Sequence, residues 1–203
     1  IKIQITSNNT NNIIFEETAN FTCFLILKML YSDLGNIENW KINIRKNAFH
    51  NKKLLIIGKG NIGKRVEKKM SQLMNVNTFD ILEENPDKIF SKIPIADCIS
   101  IHIPLTTENI HYFDKEKLAL MKNGSVLVNT SRASIVSEEA LYNEIKTNRI
   151  KSAFDVFWTK PYKGKLKNFH PNNFFMTPHI ASKCKEYIES AAYDFKQFIK
   201  DFN

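Results

Sequence analysis

From residue 52 onward the apolar positions fall into short continuous runs separated by amphipathic stretches, the rhythm of strands alternating with helices. Leu54 to Ile57 is an apolar run, Gly58 to Gly63 a glycine-rich turn, and a helix is expected to about Met74 before a strand over Val76 to Asp80. That is a β-α-β unit. Asn85-Pro86-Asp87 offers a cap and an N1 proline for a short helix, and Cys98 to Ile103 reads as the next buried strand. Asp114 caps a helix through Met121, Gly124 closes it, and Ser125 to Asn129 is again a strand. Ser137 ahead of Glu138 and Glu139 opens a helix with Leu141 and Ile145 on one face. Ala153 to Phe157 and Phe174 to Met176 are the last strands, with a polar loop from Trp158 to Asn173 between them. Tyr187, Ile188, Ala191, Ala192, Phe195, Phe198 and Ile199 form the stripe of a terminal helix, Lys185 to Phe202. Continuous apolar strands alternating with helices predict an α/β fold, a doubly wound parallel sheet covered on both faces.

Ahead of this series, Lys2 to Thr6 alternates as a strand would, Ser7 to Asn12 reads as a polar loop, and Glu17 to Tyr31 as a largely apolar helix. That helix is expected to pack against something outside this domain.

Composition adds limits. With 43% hydrophobic and 25% charged residues over 203 positions, the chain has the make-up of a globular protein rather than a disordered one. Its longest apolar run, Phe21 to Leu27, is far short of the about 20 residues of a membrane span, so no membrane association is expected. The chain starts at Ile1 without a secretory signal pattern, which suggests a cut or partial chain. Cys23, Cys98 and Cys184 are widely spaced with no CxxC and read as reduced, cytoplasmic thiols. The net charge of +8 raises the question of nucleic acid, but the lysines are scattered and only Lys64, Arg65, Lys68 and Lys69 cluster. A solvated helix face explains them, and no nucleic-acid partner is expected.

In a doubly wound sheet ligands bind beyond the carboxyl ends of the strands. There the sequence places Gly58-Lys59-Gly60-Asn61-Ile62-Gly63, a GxGxxG between strand and helix. The first glycine serves a tight turn, the second the approach of a pyrophosphate and the third helix packing. The helix start supplies amide donors. Asp80 follows twenty residues after Gly60, where a carboxylate accepts ribose hydroxyls and repels a 2′-phosphate, favouring NAD over NADP. Other strand ends carry His102 to Thr106, Thr130-Ser131-Arg132, Asp155 and Pro178-His179, all expected at one crevice. Singly, Arg132 reads equally as a surface ion-pair partner, Asp155 as a buried hydrogen-bonder, and His102 and His179 as loop histidines. Their joint placement is the argument.

Those residues carry a resemblance. Gly58 to Gly63, Ala96-Asp97 with His102-Ile103-Pro104-Leu105-Thr106, Leu120 to Gly124, Val128 to Arg132, Asp155-Val156-Phe157 and Thr177-Pro178-His179-Ile180 resemble the D-isomer-specific 2-hydroxyacid dehydrogenases. Pro161-Tyr162-Lys163-Gly164 is similar to the phosphoglycerate-dehydrogenase-like members. The resemblance implies a Rossmann-type NAD-binding domain over 35–180, with remnants of a substrate domain at both ends: a strand and linking helix in 1–34 and a returning helix in 181–203. It implies that Arg132 holds a substrate carboxylate and polarises its carbonyl, and that His179 exchanges a proton as hydride moves to or from the nicotinamide. The cofactor site is expected to comprise Gly58, Gly60, Asn61, Ile62, Gly63, Asp80, His102, Pro104, Thr130, Ser131, Asp155 and Ala181, with Asp155 at the nicotinamide end and Thr130 and Ser131 giving backbone and hydroxyl contacts. No metal is expected. The partners implied are a small 2-hydroxy or 2-oxo acid and a second copy in a homodimer.

The sequence departs from that family at one chemical position. Where the family carries a glutamate that pairs with the histidine and raises its pKa, this chain has Lys160. A lysine cannot accept an imidazole N–H, and if near it lowers the histidine's pKa instead. Ala133-Ser134 and Ala181 stand where glycines are usual, and most of the amino-terminal substrate domain is missing. With that domain gone, the helices of 17–31 and 185–202 are expected to expose apolar surface. Two functions follow: an NAD-dependent oxidoreductase read from part of its chain, or an NAD-binding module without turnover.

Overall fold

The computed structural model describes residues 6–31 and 48–201. The strand expected over Lys2 to Thr6 lies outside the described residues apart from Thr6. A helix, α1, spans Asn8–Leu30, starting well before the expected Glu17. Ser7 is its N-cap, with the side chain accepting from the Thr10 amide at 3.2 Å. The polar segment read as a loop is therefore the first turns of the helix, since Ser and Thr that favour turns equally favour caps.

Strands β1 (Lys53–Ile57), β2 (Asn75–Phe79), β3 (Cys98–Ile101), β4 (Val126–Asn129), β5 (Lys151–Phe154) and β6 (Phe174–Met176) form one sheet. Their order is β2-β1-β3-β4-β5-β6, and every pair is parallel. Helices α2 (Asn61–Met70), α3 (Lys88–Lys92), α4 (Lys115–Leu120) and α5 (Glu138–Lys146) connect successive strands, and α6 (Lys185–Lys200) follows the sheet. The caps are those the sequence offers at two helices. Asp114 accepts from the Lys117 amide at 3.0 Å ahead of α4, and Ser137 from the Ala140 amide at 3.4 Å ahead of α5. Several elements are shorter than expected. The carboxyl end of β5 falls at Phe154, so Asp155 stands just past the strand rather than within it. The edge strand β2 alternates in burial instead of being continuously apolar.

Alternation along the strands divides the core in two. Leu55 and Ile57 face a cluster with Ile89 of α3, Leu118 of α4 and Leu141 and Ile145 of α5. Leu54 and Ile56 face the other side, among Val66 and Met70 of α2 and Ala19, Leu25, Ile26 and Met29 of α1. Helix α1 is thus a covering helix of the sheet. Most of its apolar face is buried by this domain rather than by the expected outside partner, while Phe24 remains 49% exposed. The lysine cluster on α2 meets it too: Arg65 and Lys69 pair with Glu16 of α1, so these cations brace two helices. Exposed apolar surface is more extensive on α6, where Ile188, Tyr193, Phe195 and Ile199 are 45–63% exposed. Among the described residues no helix is long and apolar enough to cross a membrane.

Candidate functional site

The strand order reverses between β2-β1 and β3-β4, and a crevice opens where the chains leaving β1 and β3 part. The turn after β1 is set by Gly58, whose φ of +96° is open to glycine and strained for other residues. A Cβ there would stand 2.8 Å from the His102 carbonyl oxygen, so the turn packs on the segment leaving β3. At Gly63 a Cβ would come 2.0 Å from the Gly58 oxygen, and the helix lies that closely on its own turn. Gly60 differs: a Cβ there would meet nothing within 4 Å, so its backbone borders open space. Among the described residues no side chain caps the start of α2, which leaves its first amides free to donate to an anion.

Asp80 closes this end. Its Oδ2 accepts from the Lys59 amide of the glycine turn at 2.7 Å and its Oδ1 from the Leu82 amide at 3.0 Å. The carboxylate is therefore fixed beside the turn, with lone pairs remaining for hydroxyl donors.

A cleft of about 570 Å³ at this edge is lined by Asn61 and Ile62 from α2, His102 and Pro104 after β3, and Thr130, Ser131 and Arg132 after β4. Asp155, His179, Ala181 and Ser182 complete its other wall. The strand ends carrying His102, Thr130 to Arg132, Asp155 and His179 meet here, whereas Gly58, Gly60, Gly63 and Asp80 are not among the lining residues. Ile14, Phe15 and Thr18 of α1 also line the cleft, and sequence reasoning missed them because this part of the chain was read as loop and linking helix. The signal that could have found them is Ser7 followed by Thr10, a start for a helix long enough to reach the sheet edge.

Each side chain is held by identifiable partners. The buried Asn129 at the end of β4 accepts from the Ser131 amide and hydroxyl, both at 2.9 Å, and donates to the Arg132 carbonyl at 3.0 Å. It shapes the turn that carries Arg132. The guanidinium donates to the Ser131 carbonyl at 2.7 Å and pairs with no carboxylate among the described residues. The Thr130 hydroxyl lies 2.8 Å from that of Thr22 in α1, and the Ser131 hydroxyl donates to Asn129. The hydroxyl contacts expected of these two residues are therefore engaged within the protein, and the backbone remains.

Asp155 is fully buried. Its Oδ1 accepts from the Thr177 hydroxyl at 2.6 Å and the Ile180 amide at 2.9 Å, and its Oδ2 from the Ala181 amide at 2.9 Å. Although it borders the cleft, its carboxylate clamps the loop that presents His179. His102 lies with Nε2 2.8 Å from the Ser100 hydroxyl, while its buried Nδ1 has no partner among the described residues. Burial pushes its pKa down to about 3, so the ring is neutral.

His179 adopts φ +58°, with its amide donating to the Thr177 carbonyl at 2.9 Å. Lys160 Nζ stands 2.7 Å from its Nδ1. The imidazole is held below its ordinary pKa, first by burial and then by the Lys160 ammonium, with Arg132 and Lys183 acting in the same direction and Asp155 opposing. The sequence departure at position 160 is thus a direct contact.

A dinucleotide fits these features. A turn that excludes Cβ, uncapped helix amides, an open glycine and a fixed carboxylate are what pyrophosphate and ribose require. The orphaned His102 Nδ1 adds a polar atom in want of a partner at the cleft wall.

Comparison with known proteins agrees. The family model described as the D-isomer specific 2-hydroxyacid dehydrogenase, NAD binding domain, matches residues 31–181. A hydroxypyruvate reductase of Thermotoga maritima is 32% identical over 156 residues, covering 70% of this chain and 51% of its own length. A glyoxylate reductase of Korarchaeum cryptofilum is 30% identical over 204 residues, covering 88% of this chain and 60% of its own. The chain thus spans about half the length of the first of these relatives. Among solved structures, a D-lactate dehydrogenase from Aquifex aeolicus, complexed with NAD and lactic acid, superposes with a TM-score of 0.77. At 24% identity over 93% of this chain and 66% of that one, the likeness shows the fold.

Proposed function

The chain belongs to the D-isomer-specific 2-hydroxyacid dehydrogenase family, of which it carries the NAD-binding domain, and from that premise we propose that its cleft places NAD against a small 2-hydroxy or 2-oxo acid for hydride transfer in the whole protein. The observation that carries this reading is that Arg132 and His179 line the same cleft as Asn61 and Ile62 at the glycine turn.

NAD would lie with its pyrophosphate at Gly60 to Ile62, its adenosine ribose at Asp80 and its nicotinamide toward Arg132 and His179. When bound, the nicotinamide supplies the hydride donor or acceptor. The protein does the rest. Arg132, a cation without a carboxylate partner among the described residues, can take a substrate carboxylate in bidentate fashion and fix its orientation. His179 meets the substrate oxygen through Nε2, since Nδ1 is taken by Lys160. Ile14 and Phe15 give the cleft an apolar wall that limits water around the reacting groups. A homodimer and a cytoplasmic setting complete the proposal. They are supported by the family resemblance and, for the setting, by three free thiols.

One observation favours a second reading, an NAD-binding module without turnover: the partner of His179 is a cation where catalysis in this family calls for a carboxylate. Calorimetry and steady-state assay separate the two. Asp80→Ala is expected to weaken NAD binding about 10- to 100-fold, the loss of hydrogen bonds to a charged group, and unchanged affinity would remove the ribose assignment. A panel of 2-oxo acids on the complete gene product should show turnover that Arg132→Ala abolishes. NAD binding with no turnover on any of them would establish the module.

A further inference from the structure

We infer that Lys160 is a positioning residue that donates to Nδ1 of His179 and so fixes the neutral ring with its one N–H on Nε2, the nitrogen left for a ligand in the cleft. The consequence for catalysis rests on the proposed role of His179; the proton arrangement itself does not.

The distance between Lys160 Nζ and His179 Nδ1 is 2.7 Å. A lysine ammonium has three N–H donors and no lone pair, so in this contact the ring nitrogen must accept. A ring nitrogen that accepts carries no proton, and the single proton of a neutral imidazole then sits on the other nitrogen. Nε2 has no hydrogen-bond partner among the described residues. A carboxylate in the place of Lys160 would act in the opposite sense: it would accept from Nδ1–H and leave Nε2 bare until the ring took a second proton. Lysine therefore turns His179 from a group that donates only when charged into one that donates while neutral.

The surroundings keep the ring in that form. The charged groups acting on it are Lys160, Lys183 and Arg132 on one side of the balance and Asp155 on the other. Both Asp155 oxygens already accept from Thr177, Ile180 and Ala181, so this carboxylate organises the loop and touches neither ring nitrogen. The backbone at 179 is anchored by the Thr177 carbonyl and by Asp155, which clamps the next two amides. With the ring already placed, the lysine has only to decide where its proton goes. His179 is then a steady hydrogen-bond donor to a carbonyl or carboxylate oxygen across the neutral pH range, and imidazolium is not the form it presents.

The test is two-bond proton–nitrogen correlation spectroscopy of the chain labelled with 15N-histidine, the His179 signals being identified by their loss in His179→Gln. Wild type should show an unprotonated-type Nδ1 and a protonated-type Nε2 at neutral pH, with ring protonation only below the ordinary histidine range. Lys160→Arg, which still donates, should keep this signature. Lys160→Met should admit the other tautomer and raise the titration midpoint, and Lys160→Glu should move the proton to Nδ1 and raise the midpoint further. A protonated Nδ1 in wild type, or signals and midpoint unmoved by Lys160→Met and Lys160→Glu, would overturn the inference. The wild-type spectrum decides the tautomer even if a variant fails to fold. NAD titrated into the same samples keeps the two proposals apart: absent binding with the signature intact defeats only the functional reading, and binding without the signature defeats only this one.

Discussion

The glycine turn beside the cleft and the end of the cleft at Arg132 and His179 are built by different means. At the glycine turn the site is made of backbone: three glycines, uncapped amides and one carboxylate pinned by the Lys59 amide. At the other end it is made of side chains, Arg132 on a turn shaped by Asn129 and His179 on a loop clamped by Asp155. The first carries a tight turn, free amides and a fixed carboxylate, the features a dinucleotide calls for. The second keeps its scaffold and its arginine, yet the histidine's neighbour has changed from an expected anion to a cation. Backbone-built recognition tolerates little substitution at Gly58 and Gly63, which are fixed by steric limits, while Gly60 borders open space. A side chain's charge can be exchanged without moving the chain, so proton chemistry is the part of such a site most easily rewritten.

The comparison breaks first at Gly63. A Cβ there has backbone oxygen 2.0 Å away and nothing flexible to displace, so Gly63→Ala should cost about 3 kcal/mol or more, the upper range for overpacking. Chemical denaturation measures it, and a cost under half that would show that the turn can relax.

At the opposite end, Asp155→Ala leaves the buried Ala181 amide and its neighbour at Ile180 without acceptors. A loss of about 2 kcal/mol is expected, together with loosening of the His179 loop. Hydrogen exchange at those two amides should quicken before the rest of the sheet. Uniform quickening would mean that Asp155 supports the whole fold and not this loop in particular.

Acid sharpens the contrast further. His102 is held neutral in the folded chain at a pKa of about 3 against an ordinary 6.5, and His179 is shifted in the same direction. The unfolded chain therefore binds more protons below about pH 6.5, and stability is complete above that value and falls progressively as pH drops toward 3. His102→Gln should flatten this slope in urea unfolding measured at several pH values, and an unchanged slope would assign it to other groups.

The smallest effect is expected from Lys59→Ala. Its amide holds Asp80, but among the described residues its side chain pairs only with Glu83 at the surface, 2.6 Å away. The melting midpoint and NAD affinity should stay as in wild type, and a marked fall in affinity would show that the ammonium, and not only the amide, serves the cofactor end.

Much of this was legible in the chain itself. Apolar runs of four or five residues between glycine, proline and cap signals gave the parallel sheet, since a strand covered on both faces has no polar side to alternate. The caps at Asp114 and Ser137 and the GxGxxG followed by Asp80 were legible for the same kind of reason, as their chemistry is local. Helix α1 was not. Its first turns are rich in Asn and Thr, and they are held by partners distant in the chain, Thr10 by Asp194 of α6 and Glu16 by Arg65 and Lys69 of α2. Ile14, Phe15 and Thr18 therefore joined the cleft unannounced.

What the sequence determined by itself is the order of elements and the residue types at each strand end, because hydrophobic period, steric limits of glycine and capping act over a few residues. Only the tertiary structure decided that Asp155 clamps a loop, that Thr130 turns its hydroxyl to Thr22, and that Lys160 reaches Nδ1 of His179. Those outcomes depend on distances between segments far apart in the chain, and such distances are fixed only when the sheet is assembled and its two faces are covered.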